Sequence, residues 1–483
     1  MNSTFFLTGF FIYIAFMIWL GWRVSKNQKS GEDFLLGGRS LPLFLLLGTT
    51  VATMVGTGSS MGAVGFGYNN GWAGALYGIG GAIGILLLSY LFSDVRKLNF
   101  MTMSEELSYY YGANKAIKNL VGVIIFVASV GWLGAHIMGG GMYLSWIAGI
   151  DINTAKIIIA LGFAIYVVIG GYMAVVWTDT IQAVVLFFGF ILMVVMALEK
   201  VGGFSGLQAA MDPAALSFLG IDKLGLIPSI SLATVVGVGV LATPSYRQRI
   251  YSAGSISTLK RSFTLTGVIY LFFSLIPALI GMATFTLNPE LQNANYAFPY
   301  LAVEVLPMGV GMIVLIAGLS ATMSSASSDA IAGISILLRD VYSIFTGGRL
   351  PPQDKMITYS RIALVCVIAL ALLFTLAADD IIGYISKMIS TLMSGLFVCG
   401  LMGKYWKRAT WQGGVATLAG GSIGSIAILM NPQWLTFWGN PVIPSTLLAL
   451  VAGVIVSLST KESTITSEEA QAILTQERLQ MAS

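Results

Sequence analysis

Thr53-Met54-Val55-Gly56-Thr57-Gly58-Ser59-Ser60 stands in the middle of an apolar run over residues 41–68. A run of that length crosses a hydrocarbon core about 30 Å thick as a helix, and Gly, Thr and Ser at its centre mark where the helix can unwind. The stretch Val236-Gly237-Val238-Gly239-Val240-Leu241-Ala242-Thr243-Pro244, inside an apolar run over 226–246, has the same character. The two lie five apolar runs apart. Interrupted helices at corresponding places in two halves point to a transporter built from inverted repeats, and an odd repeat of five forces the halves into opposite orientation. The same glycines also permit close helix packing; their spacing is what favours broken helices.

Apolar runs recur along all 483 residues, of which 56% are hydrophobic and 10% charged. Soluble domains carry about 25% charged residues. Backbone groups at membrane depth must bond within their own segment, so the runs are helical, and they lack the alternation of a β-barrel. The expected fold is all-α and polytopic, with about thirteen transmembrane helices near 5–22, 41–68, 71–92, 117–147, 154–175, 179–199, 226–246, 262–286, 302–338, 357–377, 381–402, 412–430 and 440–459. Residues 1–40 form a first flanking helix and loop, 41–200 and 201–403 the two repeat halves, 404–460 two further flanking helices, and 461–483 a polar tail. Ser467-Glu468-Glu469 is an expected start for a short helix there, with acids in its first turn.

Basic residues fall in alternate loops: Arg23, Lys26, Lys29 and Arg39; Arg96, Lys97, Lys115 and Lys118; Arg247, Arg249, Lys260 and Arg261; Arg339, Arg349, Lys355 and Arg361; Lys404, Lys407 and Arg408. The other loops hold Lys156, Lys200 and Lys223. By the positive-inside rule the rich loops are cytoplasmic, which puts the N-terminus outside and the C-terminus inside, as an odd number of crossings requires. Arg247 and Arg249 read as such topological charges at a helix end. No basic patch resembles a nucleic-acid site. The run 5–22 has its positive charge after it and no small-residue cleavage site, as in a retained helix. Cys366 and Cys399 lie inside expected helices, which argues against a disulfide or metal framework. Lys387 is read as snorkelling or pairing with Asp379 or Asp380, and Trp434 and Trp438 as an interfacial belt.

Chemistry concentrates in Ser320-Ala321-Thr322-Met323-Ser324-Ser325-Ala326-Ser327-Ser328-Asp329. Ser324, Ser325 and Ser328 share a helix face. Neutral hydroxyl oxygens, joined by carbonyls freed from an unwound helix, suit a small hard cation such as sodium; hydroxyls also serve as interhelical hydrogen-bonding groups. Asp179, in Trp177-Thr178-Asp179-Thr180-Ile181-Gln182, reads either as a helix N-cap or as a carboxylate lining an ion path. The lone His136 reads either as a buried hydrogen-bonding group or as a solute contact.

The run from Gly170-Gly171 to Trp177-Thr178-Asp179 and Gln182 resembles the signature of the sodium/solute symporter family. The resemblance extends through Asp33-Phe34-Leu35-Leu36-Gly37-Gly38-Arg39-Ser40, the interrupted second run and the Ser-rich ninth, and covers about residues 5–460. It implies a five-plus-five inverted-repeat core with flanking helices. It also implies a sodium held by carbonyls matching Ala52 and Val55, with Ala321, Ser324 and Ser325. In some members a second sodium uses positions matching Asp179, Ser327 and Ser328. Ala52 to Gly56, Tyr246-Arg247-Gln248-Arg249 and Met323 to Ala326 look most like the choline-carrier branch. The chain departs from it at Met54 and Thr243, where that branch has tryptophans, while Trp132 matches. Thr57, Trp132, His136 and Thr243 are therefore expected around a small polar or zwitterionic solute.

The resemblance thus implies a sodium-coupled symporter in a bacterial-type inner membrane, importing its solute by alternating access. Its expected partners are sodium, the solute and the lipid bilayer, with no nucleic acid and no obligate protein partner. An enzyme would need clustered catalytic groups at membrane depth, where only His136 qualifies. A proton-coupled carrier of the same architecture and a non-transporting channel or sensor are the alternatives.

Overall fold

The computed structural model describes residues 3–25, 36–352, 355–376, 378 and 380–482. Lys26, Lys29, Asp33, Phe34, Leu35 and Asp379, used in the sequence reading, lie outside the described residues. The described part is helical, and its one strand-like feature is a bridge between Leu41 and Ala253. In chain order the main helices are α1 (Ser3–Ser25), α2 (Leu43–Met54), α3 (Ala63–Asn70), α4 (Ala75–Phe92), α5 (Met103–Tyr110), α6 (Lys115–Ala148), α7 (Ile152–Val201), α8 (Leu226–Ala242) and α9 (Pro244–Ser252). They continue with α10 (Ile256–Phe273), α11 (Leu275–Leu287), α12 (Met308–Ile336), α13 (Met356–Thr375), α14 (Ile381–Met388), α15 (Ser394–Tyr405), α16 (Trp411–Leu429), α17 (Val442–Ser459) and α18 (Ser467–Ala482).

Both expected breaks are present. At the end of α2, Val55 leaves helical geometry (φ −89°, ψ 64°), and the chain resumes through a wide helical turn at Gly58–Gly62 into α3. At the end of α8, Thr243 is extended (φ −75°, ψ 127°), and Pro244 opens α9 at a bend of 45°. Proline suits that first position because its missing N–H has no helical acceptor there.

Ten described segments are long and apolar enough to cross a membrane, or eleven when α8 and α9 are taken as one bent span. The expected thirteen are not reached by this measure, for two physical reasons. The break leaves α2 as a short piece of 12 residues, while α3 and α4 are joined across a tight turn into one segment, Gly58–Leu98. Gly71, with φ 60°, makes that turn; a Cβ there would collide with the backbone of Ala215. The second reason is α7, a helix of 50 residues with one non-helical residue, Gly171 (φ 60°, ψ −175°). Its first part, Ile152–Ile165, is too short to count alone.

Helix ends follow local chemistry. Asn114 caps α6 by accepting from the amides of Ala116 and Ile117. Asp151 caps α7 by accepting from Asn153 and Thr154. The Thr154 amide is the main reason the Asp151 carboxyl is held below the usual carboxylate range. Thr466 and Glu469 exchange bonds ahead of α18, a capping box. The first turn of α18 thus forms at the residues expected, and its Ala470 and Leu474 are buried.

The packing centres on α12, which lies against α7, α6 and α2; α8 lies against α4, and α16 against α17. The Ser-rich face of α12 is therefore interior: every residue from Val314 to Ile336 apart from Ile316 is buried.

Candidate ion and solute site

A broken helix exposes carbonyls that its own amides no longer reach. At the end of α2 three consecutive carbonyls are met by hydroxyls instead. Ser324 Oγ donates to Ala52 O at 3.0 Å, Ser325 Oγ to Thr53 O at 3.1 Å, and Ser59 Oγ to Met54 O at 2.9 Å. Ser324 also lies 3.2 Å from Ala321 O. Ala52, Val55, Ala321, Ser324 and Ser325 are all buried. Ala52, Ala321 and Ser324 of the expected first sodium set are thus brought together where α2 frays against α12, with Ser325 on the neighbouring Thr53 carbonyl and Val55 at the fray itself.

Asp179, Ser327 and Ser328 also converge. Asp179 Oδ2 accepts from Thr49 Oγ1 at 2.7 Å and from Ser328 Oγ at 3.0 Å, and Ser327 Oγ stands 3.5 Å from Oδ1. Asp179 is not a helix N-cap: it lies inside α7, beyond the kink at Gly171, and is fully buried.

The sequence reading did not foresee what fills this second set. Arg249 enters from α9, and its Nη2 lies within 3.6 Å of five oxygens: Thr49 O, Thr49 Oγ1, Thr53 Oγ1, Ser328 Oγ and Asp179 Oδ2. A nitrogen with two protons cannot bond five oxygens, so it sits there as a point of positive charge in an oxygen cage. Arg247 is equally deep. Its Nη1 pairs with Glu106 Oε1 at 2.7 Å, and its guanidinium lies over the Phe92 ring, 3.6 Å from the centroid. Tyr110 and Tyr251 donate to the same carboxylate. The reading of both arginines as topological charges is therefore corrected. α9 bends by 45° at Pro244 and is buried along its length, so its basic residues face carboxylates rather than the protein's rim.

Beside this oxygen set is a small cavity, about 40 Å³ in volume, lying between the two breaks and α4, α6, α10 and α12. Trp132, His136 and Thr243 line it as expected. Thr57 supports the wall rather than lining it, with its Oγ1 2.9 Å from His136 Nδ1. Trp132 and His136 are near parallel, at 15° and 6.5 Å between centroids. Thr243 donates to Gly239 O at 2.6 Å, tying its hydroxyl to the end of α8. Tyr77, Tyr246, Tyr270 and Asp329 also line it and were not expected as solute contacts. For Asp329 a signal existed: it stands four residues after Ser325, on the same face. For Tyr77 and Tyr270, which come from distant helices, none did.

A helix frayed against a buried row of hydroxyls, with a second broken helix across the adjacent cavity, is the architecture of a secondary transporter. The profile of the sodium:solute symporter family matches residues 34–424. The sodium/pantothenate symporter of Escherichia coli is 25% identical over 456 residues, covering 91% of this chain and 93% of that protein. The sodium/proline symporter of Salmonella typhimurium is 25% identical over 487 residues, covering 97% and 95%. The solved structure of a Na+-coupled sialic acid symporter, substrate-bound and outward-open, overlays with a TM-score of 0.80 across 96% of this chain and 99% of that one, at 21% identity. The chain belongs to the sodium:solute symporter family. It is a multi-pass membrane protein that couples solute transport to sodium, and it is not an enzyme.

Proposed function

We propose that this symporter binds its driving sodium between the carbonyls of Ala52, Val55 and Ala321 and the hydroxyls of Ser324 and Ser325, and takes a small polar organic solute into the adjacent cavity, with Trp132, His136, Thr243 and, through His136, Thr57 at the pocket. One observation carries the reading: hydroxyls of α12 meet the carbonyls freed at the end of α2. Sodium would replace the Ser324 proton as the partner of the Ala52 carbonyl, drawing the fray against α12 and setting one wall of the cavity. Oxygen ligands alone suit a hard cation.

A second sodium at Asp179, Ser327 and Ser328 belongs, in this reading, to a state in which Arg249 has withdrawn. With Arg249 in place, the guanidinium supplies the positive charge that the carboxylate needs. The repeat halves are assigned to 41–200 and 201–403, flanked by 1–40 and 404–460, with 461–483 as tail and thirteen crossings in all. The chain is assigned to an inner membrane, with the N-terminus outside, the C-terminus inside and no obligate protein partner. Supporting this, the tail helix docks beside a basic loop: Lys118 pairs with Glu477 at 2.8 Å, and Arg478 with Glu105.

The test is uptake by the purified chain in proteoliposomes, with potassium substituted for sodium at fixed pH. Sodium-driven accumulation supports the reading; accumulation driven equally by a proton gradient in potassium overturns it in favour of proton coupling.

A further inference from the structure

We propose that the transported solute carries a protonated amine, held by the Asp329 carboxylate inside a cage of aromatic rings. The inference rests on the sodium-symport reading and adds the chemistry of its cargo.

Asp329 is 4% exposed and is the single carboxylate among the described residues lining the cavity. Its Oδ2 lies 3.1 Å from His136 Nε2; its other oxygen has no hydrogen-bond partner among the described residues. On the far side of the ring, His136 Nδ1 lies 2.9 Å from Thr57 Oγ1, closer than the 3.3 Å from that hydroxyl to Thr322. The imidazole is therefore held at both ring nitrogens, by Thr57 on one side and by Asp329 on the other. Asp329 thus faces the cavity with one oxygen engaged by His136 and the other open to an N–H donor. Arg249, a nearby cation, is committed to Asp179. An ionisable group at membrane depth with an incomplete partner set marks a binding site.

The remaining wall fits the same cargo. Tyr77, Tyr246, Tyr270 and Trp132 line the same space as Asp329. Ring faces attract cations, more so when water is excluded. Trp132 Nε1 and Ser245 Oγ are buried without hydrogen-bond partners among the described residues. Buried polar atoms rarely remain so, and these two can serve a polar substituent beside the amine. An open carboxylate oxygen favours an N–H donor over a quaternary ammonium, which has none to give.

The experiment is thermal stabilisation of the purified full-length chain in sodium and in potassium. Ethanolamine and glycine are the amines with and without a fixed net charge, choline is the quaternary probe, inositol the neutral one and lactate the anionic one. Ethanolamine or glycine should raise the melting temperature in sodium, choline less so, and inositol and lactate should have no effect. Asp329→Asn should weaken the amine response at least tenfold, with a monodisperse elution profile as the check on folding. Tyr246→Leu should weaken it several-fold while Tyr246→Phe keeps it, a contrast that does not depend on altering the buried charge. The proposal is overturned if inositol or lactate stabilises in preference to the amines, if Asp329→Asn binds amines as tightly as the parent, or if no probe acts in sodium. A response to inositol or lactate that needs sodium would sink the amine and leave sodium coupling standing. A response equal in potassium would sink sodium coupling itself.

Discussion

Replacing Ser324 and Ser325 together by alanine removes two of the five oxygens proposed for sodium, and the structure gives the size of the effect. Each hydroxyl now meets a carbonyl at the frayed end of α2, at 3.0 and 3.1 Å. A hydrogen bond of this kind contributes about 1 kcal/mol net, and a buried carbonyl left unpaired costs about 1–3 kcal/mol. In the sodium-bound state the Ala52 carbonyl keeps the ion and Thr53 O loses its partner with or without sodium, so the sodium-dependent loss falls on the two hydroxyl ligands, at about 2–4 kcal/mol together. That corresponds to roughly 30- to 1,000-fold weaker sodium activation. The assay is solute uptake by proteoliposomes as external sodium is varied against potassium at constant ionic strength and pH. Melting temperature in potassium separates the two contributions, because loosening of α2 lowers it without any sodium present. The assignment fails if the double variant reaches half-activation within threefold of the parent concentration. It fails equally if stability in potassium drops while the sodium requirement does not move.

Removing the Arg249 charge with Arg249→Gln strands Asp179 in the interior and should destabilise the fold by about 3–5 kcal/mol, the range for breaking a buried pair. Combining it with Asp179→Asn should recover part of the loss, and thermal melts of both singles and the double check this coupling. Gly56→Ala places a methyl carbon 2.5 Å from Ser325 Oγ and 3.3 Å from His136 Cε1; it should impair both sodium activation and solute affinity by tenfold or more in the uptake assay. One sodium crossing 100 mV down a tenfold gradient supplies about 3.7 kcal/mol, enough to accumulate a neutral solute several hundred-fold, and two supply about 7 kcal/mol, or about 10⁵-fold. A measured charge-to-solute ratio showing one sodium per cycle would confine binding to the first set and leave Arg249 in place throughout. Single cysteines at Asn288 and at Lys461, in a background lacking Cys366 and Cys399, should react with an impermeant thiol reagent from opposite sides, Asn288 from outside; labelling from the same side would overturn the orientation.

The sequence alone determined the class of fold, because membrane crossing is a property of local composition: long apolar runs must satisfy their backbone within themselves. It also located both breaks, since Gly, Thr and Pro at mid-span weaken a helix wherever it packs. The hydroxyl row of α12 was legible for the same reason, as residues four apart share a face. Charge was where sequence reasoning failed. Arg247 and Arg249 look like loop residues until α9 folds inward and delivers them to Glu106 and Asp179, which come from other parts of the chain. Asp179 looks like a helix start until α7 is seen to run through it. The solute cavity, too, is a tertiary object: Tyr77, Trp132, Tyr246, Tyr270 and Asp329 lie on five helices, and no local pattern relates them. Apolar periodicity and backbone breaks act over a few residues and can be read in order. The partner of a buried charge is decided by which helices pack together, and only the folded chain holds that information.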